Sequence, residues 1–167
     1  MWRWMKMLLC DDLGLGKSLT AALALFNPAL RPGLIVCQTH LPHQWKCDVI
    51  EKFTGMSAYI IPVGKLHNLP PADIYIISYS KISKWAHVLE KTIKSIIWDE
   101  VQELRCRSNG AGMTQKYASA KFLNSKVEYA IGLSGTPIYN YAIELWNIYD
   151  NLKEGCVGQL MGWGLLS

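Results

Sequence analysis

Lys6-Met7-Leu8-Leu9-Cys10-Asp11-Asp12-Leu13-Gly14-Leu15-Gly16-Lys17-Ser18 is the stretch from which the fold can be read. Lys6 to Cys10 has the length and apolar character of a buried strand, the glycines mark a turn, and a helix is expected from Lys17 to about Phe26, stopped before Pro28. Strand, glycine turn and helix in direct succession make a phosphate cradle. Glycine lets backbone N–H groups come close to an anion, and the helix terminus adds its own field. On this reading the backbone from Asp12 through Leu13, Gly14, Leu15 and Gly16 wraps a nucleotide's phosphates. Lys17 reaches the β- and γ-phosphates, and the Ser18 hydroxyl ligates magnesium. Asp11 stands where the pattern G-x-x-x-x-G-K-[ST] has its first glycine, so the competing reading is a glycine-rich turn carrying a solvated lysine. The strand–loop–helix context argues against it.

Eighty residues downstream of that loop, on the order of one lobe, Ile96-Ile97-Trp98-Asp99-Glu100 sets two carboxylates at the carboxyl end of another apolar run. Ligands of open α/β sheets gather at that end of the strands. Asp99 is therefore a candidate for holding magnesium, and Glu100 for orienting and polarising the attacking water. Taken alone, an Asp-Glu pair reads more simply as a solvated acidic turn; the upstream phosphate loop reverses that preference.

The intervening sequence repeats the same alternation. Strands are expected at Leu34–Cys37, Ala58–Ile61, Ile74–Ser78, Ser95–Trp98 and Val127–Leu133. Helices are expected from Pro42 to about Phe53, from about Met113 to Leu123, and from Ala142 to about Leu152. This order predicts an α/β fold with a mostly parallel sheet and helices on both faces. With 167 residues, 50% of them hydrophobic and 18% charged, the chain suits one domain with a core of its own and excludes a disordered class. The net charge of +4 permits nucleic-acid binding without indicating it. Five cysteines without a C-x-x-C pair indicate neither a disulfide framework nor a zinc ribbon, and point to a reducing, intracellular compartment: cytoplasm or nucleoid, or host cytoplasm for a viral chain. Trp2 to Leu9 is too short to cross a bilayer, so neither a membrane helix nor a signal peptide is expected.

The ordered series DDLGLGKS, LIVCQTHLPHQW, IISYSKI, IIWDEVQEL and IGLSGTPIYN resembles the N-terminal, RecA-like lobe of Swi/Snf-type ATPases of helicase superfamily two, from about Met7 to about Leu152. The resemblance implies a P-loop NTPase lobe over 1–154, cut short at its N-terminus, followed by a glycine-rich, loosely ordered tail over 155–167. It implies ATP and Mg2+ as cofactors and DNA, duplex in this class, as partner. It places Gln38 to Leu41, with Thr39 and His40, against a nucleic-acid backbone, and Ser78 and Tyr79 in a second such segment. Asp99, Glu100 and Gln102 match the magnesium and water-activating box, while Ser134, Gly135 and Thr136 match the segment that couples hydrolysis to movement. Gln102 stands where the family most often has histidine, and it can still hydrogen-bond. Arg105 and Arg107 follow the acidic box and are candidates for phosphate contact.

Two features common to such enzymes find no match in this sequence: an upstream adenine-reading glutamine segment and, after Leu152, a second lobe with its arginine finger. The expected function is thus the ATP-binding lobe of a DNA translocase, weak in turnover until a second lobe joins it in trans or from a continuation of the chain. The alternative is a truncated module that binds nucleotide or DNA and never cycles. Cys37, His40, His43 and Cys47 are spaced loosely like metal ligands but straddle a strand, a loop and a helix, which disfavours zinc. Trp45, Trp85 and Trp146 suit core or lobe-interface packing, and Lys81, Lys84, Lys91 and Lys94 a solvated face.

Overall fold

The computed structural model describes residues 5–12, 14–104, 114–135 and 148–152. Six strands, β1 (Met5–Cys10), β2 (Gly33–Cys37), β3 (Ala58–Ile60), β4 (Ile74–Ser78), β5 (Ser95–Trp98) and β6 (Tyr129–Ser134), form one sheet in the order β1-β6-β5-β2-β4-β3. Every neighbouring pair is parallel. All residues of β2, β4 and β5 are buried, which is why these strands read as unbroken apolar runs: helices cover both faces and leave no polar side.

Alternate residues of each strand feed two separate cores. Leu34 and Val36, Tyr75 and Ile77, and Ile96 and Trp98 point to one face, where they meet α4 (Ile82–Leu89), α5 (Gln115–Lys126) and the helical residues 148–152. Ile35 and Cys37, Ile74 and Ile76, and Ile97 point to the other. That face is covered by α1 (Lys17–Ala24) and by a continuous helical stretch made of α2 (Pro42–Gln44), a π-helical segment Trp45–Glu51, and α3 (Lys52–Thr54). Trp45 and Trp85 are core residues, as their helical positions suggested.

One helix went unread in the sequence. The lysine-bearing stretch after β4 contains α4, whose Ile82, Trp85, Ala86 and Leu89 recur at the i, i+3, i+4, i+7 positions of a buried stripe. Lys84 lies on its exposed side. α5 begins two residues later than expected because Thr114 caps it, its Oγ1 accepting from the Tyr117 N–H at 3.2 Å, and its extension to Lys126 delays β6 to Tyr129. The expected tail over 155–167 and the first part of the last helix lie outside the described residues.

A polar network fastens the face built by α5. The buried Asn124 donates through Nδ2 to the carbonyl oxygen and Oδ1 of Asn151, at 3.0 and 2.9 Å, and accepts through Oδ1 from Trp98 Nε1 at 3.0 Å. Asn151 in turn donates to the Tyr117 carbonyl at 3.1 Å. Asn124→Ala strips three buried polar atoms of this partner, Trp98 Nε1 and the two Asn151 oxygens, each a loss of roughly 1–3 kcal/mol. Urea unfolding should therefore show the variant less stable than the parent by about 3 kcal/mol or more.

Candidate functional site

Since all six strands run in one direction, the connections that follow β1, β2, β4, β5 and β6 leave the sheet at one edge. The register makes this local. Trp98 aligns with Gly132 on β6 and Val36 on β2, and Cys10 aligns with Ser134, so Asp99 emerges beside the strand ends that precede the glycine loop and the Ser134 segment.

In that loop Gly14 and Gly16 have φ of 85° and 79°, the left-handed region in which a side chain is strained. Gly16 precedes α1, whose first turn has no side-chain cap and no acidic residue, so its free N–H groups suit an anion. Lys17 Nζ donates to the carbonyl oxygens of Asp11 and Asp12, both at 2.7 Å, while Ser18 is half-buried on the first helical turn. Leu13 lies outside the described residues.

Across the edge, Asp99 is 9% exposed, and burial pushes its carboxyl above the usual carboxylate range. Opposing this are the Trp45 indole, donating through Nε1 to Oδ2 at 2.7 Å, a hydrogen bond from the Glu100 backbone, and the positive charge of Lys17; the neighbouring Glu100 charge adds to the rise. Glu100 follows with φ of 50°, left-handed for a residue that carries a side chain, a strained turn of the kind found at functional sites. Its Oε2 accepts from Gln102 Nε2, and Gln102 Oε1 accepts from the Ser134 hydroxyl at 2.8 Å. The acidic box and the first residue of the Ser-Gly-Thr segment are therefore bonded through Gln102, with Gly135 next to them. Thr136 lies outside the described residues.

A cleft of about 370 Å³ opens on the same edge, lined by Gln38, Thr39, His40, Tyr79, Ser80, Glu103 and Lys116. It brings together the segments after β2 and β4 that the resemblance assigned to a nucleic-acid backbone. Within them, Thr39, His40 and Ser80 are exposed, whereas Ser78 and Tyr79 are 0% and 6% exposed. Ser78 Oγ lies 3.0 Å from Ser80 Oγ; the Tyr79 ring stacks on Trp98 and its hydroxyl donates to the Asp99 carbonyl at 2.8 Å. From this segment Tyr79 and Ser80 both line the cleft, Ser80 as its exposed member. Lys116, from the start of α5, donates to Glu103 Oε2 at 3.0 Å and sits 5.5 Å over the Tyr79 ring. Arg105 and Arg107 lie outside the described residues.

Three residues acquire their place here only from the fold. Trp45 has a polar partner 54 residues away, Lys116 lies outside the five motifs, and Ser80 stands inside IISYSKI with no role implied for it there. Among the described residues no group of three or more His, Cys, Asp or Glu is placed to hold a metal ion. The Ser18 hydroxyl and the Asp99 carboxylate are hard oxygen donors, and magnesium suits such a site because it completes its shell with phosphate oxygens and water.

A parallel six-stranded sheet with a glycine loop and an acidic strand end on one edge defines a RecA-like P-loop lobe. The SNF2-related domain model matches residues 2–164, and the chain belongs to that family. The Sulfolobus solfataricus SWI2/SNF2 ATPase core in complex with dsDNA matches with a TM-score of 0.75 and 26% identity, over 93% of this chain and 32% of that one. The TATA-binding protein-associated factor mot1 of Aspergillus fumigatus is 29% identical over 90% of this chain and 9% of its own length. For the putative ATP-dependent helicase/translocase YwqA of Bacillus subtilis the values are 27%, 93% and 18%. The chain thus spans less than a fifth of either curated relative.

Cys37 shows how closed the interior behind this edge is. It is fully buried, and its thiol is pushed up to about 12, first by burial, then by the Asp99 charge, with Lys81 opposing. Thiolate is the reactive form. Iodoacetamide at pH 8.5 should alkylate the exposed Cys47 in the native protein and leave Cys37 unmodified, as read by peptide mass spectrometry; unfolding in urea should release Cys37.

Proposed function

We propose that this chain is the ATP-binding lobe of a DNA-dependent translocase, which binds magnesium–ATP at the carboxyl edge of its sheet and duplex DNA along the adjoining cleft. The observation that carries the reading is the parallel register that brings the strand ends before the Lys17 loop and before Asp99 to one edge, β1 and β5 both pairing with β6.

Each residue then has a chemical task. The Lys17 ammonium, now held by two carbonyls, exchanges them for β- and γ-phosphate oxygens, while the loop amides and the first turn of α1 surround the phosphates. Ser18 and Asp99 would hold magnesium, which when bound supplies charge neutralisation at the phosphoryl oxygens. Glu100, steadied by Gln102, orients the attacking water and takes up its proton. The bond from Gln102 to Ser134 gives this base a connection to the segment that leads toward a facing lobe. A facing lobe would add an arginine finger, worth about 10³–10⁵ in rate in related phosphoryl-transfer enzymes, so turnover by this lobe alone is expected to be slow. A DNA phosphate lying in the cleft would meet the hydroxyls of Thr39 and Ser80, the His40 ring and the Lys116 ammonium.

Binding of a fluorescent ATP analogue, measured for the parent and for Lys17→Ala, tests the nucleotide site. The variant should bind at least about tenfold more weakly, the scale of one lost charge-assisted contact to phosphate. Equal affinities would remove the ATP-binding reading. ATP binding without turnover, even with duplex DNA and a facing lobe supplied, would instead indicate a non-cycling module.

For the cleft, Lys116→Ala should weaken duplex binding to a similar degree for unrelated sequences and lower the magnitude of the salt slope by about 1, as loss of one phosphate contact requires. Fluorescence anisotropy between 50 and 200 mM salt, on the order of the usual range, measures both. An unchanged slope would place the DNA elsewhere.

A further inference from the structure

We propose that Trp45 is a positioning residue for the Asp99 carboxylate: its indole N–H, bonded to Oδ2 at 2.7 Å, sets the orientation in which Asp99 meets a magnesium–nucleotide ligand. This rests on the reading of Asp99 as the magnesium carboxylate.

The backbone of Asp99 is held without help from the indole. Its N–H donates to the Val36 carbonyl at 2.8 Å, continuing the β5–β2 ladder by one step, and its own carbonyl accepts from Tyr79 at 2.8 Å. The side chain still has two torsions to lose. Trp45 removes that freedom, being 3% exposed and packed in the core formed with α1 and the sheet. A charge-assisted bond from a rigid ring, inside a desolvated site, fixes one oxygen and leaves the other to a ligand. Partners of this kind, one bond removed from a metal, tune its affinity through the ligand they orient.

The position of Trp45 in the chain adds a mechanical consequence. It is the first residue of the π-helical segment, its backbone N–H bonded to the Leu41 carbonyl at 2.9 Å, so one helical turn separates it from Thr39 and His40 in the cleft. Local π-helix often marks functional positions, because the extra residue per turn re-aims the side chains around it. Here the Trp45 side chain, at the start of the segment, reaches a strand end 54 residues away.

The test is a magnesium titration of ATP-analogue binding by the full chain, for the parent and Trp45→Phe, with circular dichroism and thermal unfolding as fold controls. Phenylalanine keeps a buried ring and deletes the donor. The expected result is unchanged affinity for the nucleotide without magnesium and a half-saturating magnesium concentration raised about tenfold or more, the scale of outer-shell ligand effects. Identical magnesium dependence would overturn the proposal, leaving the bond as mere satisfaction of a buried indole. A parent that binds no nucleotide would overturn the phosphate-loop reading itself, and a role for Trp45 with it. Should Trp45→Phe fail to fold, benzothienylalanine incorporated at position 45 removes the N–H while keeping the shape of the indole, and the same two outcomes decide.

Discussion

A carboxylate at the end of a buried strand cannot keep its charge without partners, and the arrangement around Asp99 follows from that requirement. Its backbone is tied to β2 and to the segment after β4, and its side chain to the helix after β2, so three elements distant in sequence are locked to one residue. Removing water from such a group makes each remaining interaction stronger, including that with Lys17 across the edge. The same desolvation that threatens the charge is what would make it effective toward a cation.

Around this point the parallel sheet works as a distributor. Each strand delivers its following loop to one edge, and each residue at that edge inherits its position from cores on two faces rather than from its own loop. Glu100 departs from this regularity by adopting a left-handed backbone directly after the strand. The turn separates two adjacent carboxylates, one buried against the indole and one bonded to Gln102, and so lets neighbours in sequence hold different environments. Gln102 then spans from Glu100 to Ser134, standing where a histidine is usual in the family and bonding through both ends of its amide.

The cleft beside the acidic box has a different electrostatic character. Its cation, Lys116, is shared between a carboxylate and an aromatic face, so an incoming phosphate would compete with Glu103 for a side chain already in place. A chain of only +4 net charge can still present a directed cation at one spot, because the fold chooses which lysine faces the cleft.

The sequence by itself determined the alternation of strands and helices, the parallel character of the sheet, and the identity of the glycine loop and the acidic strand end. These depend on short-range signals: continuous apolar runs, glycines before a lysine, carboxylates at the end of a run. The helix Ile82–Leu89 is equally legible in its apolar spacing, although Lys81, Lys84, Lys91 and Lys94 in and around it suit a solvated face. Only the tertiary structure decided that Ser78 is buried while Ser80 is exposed at the cleft, that Lys116 reaches the site from α5, and that Trp45 donates to Asp99. Each of these is a meeting between elements far apart in the chain, fixed by strand order and by the phase of a helix, and no local pattern of residue types carries that information.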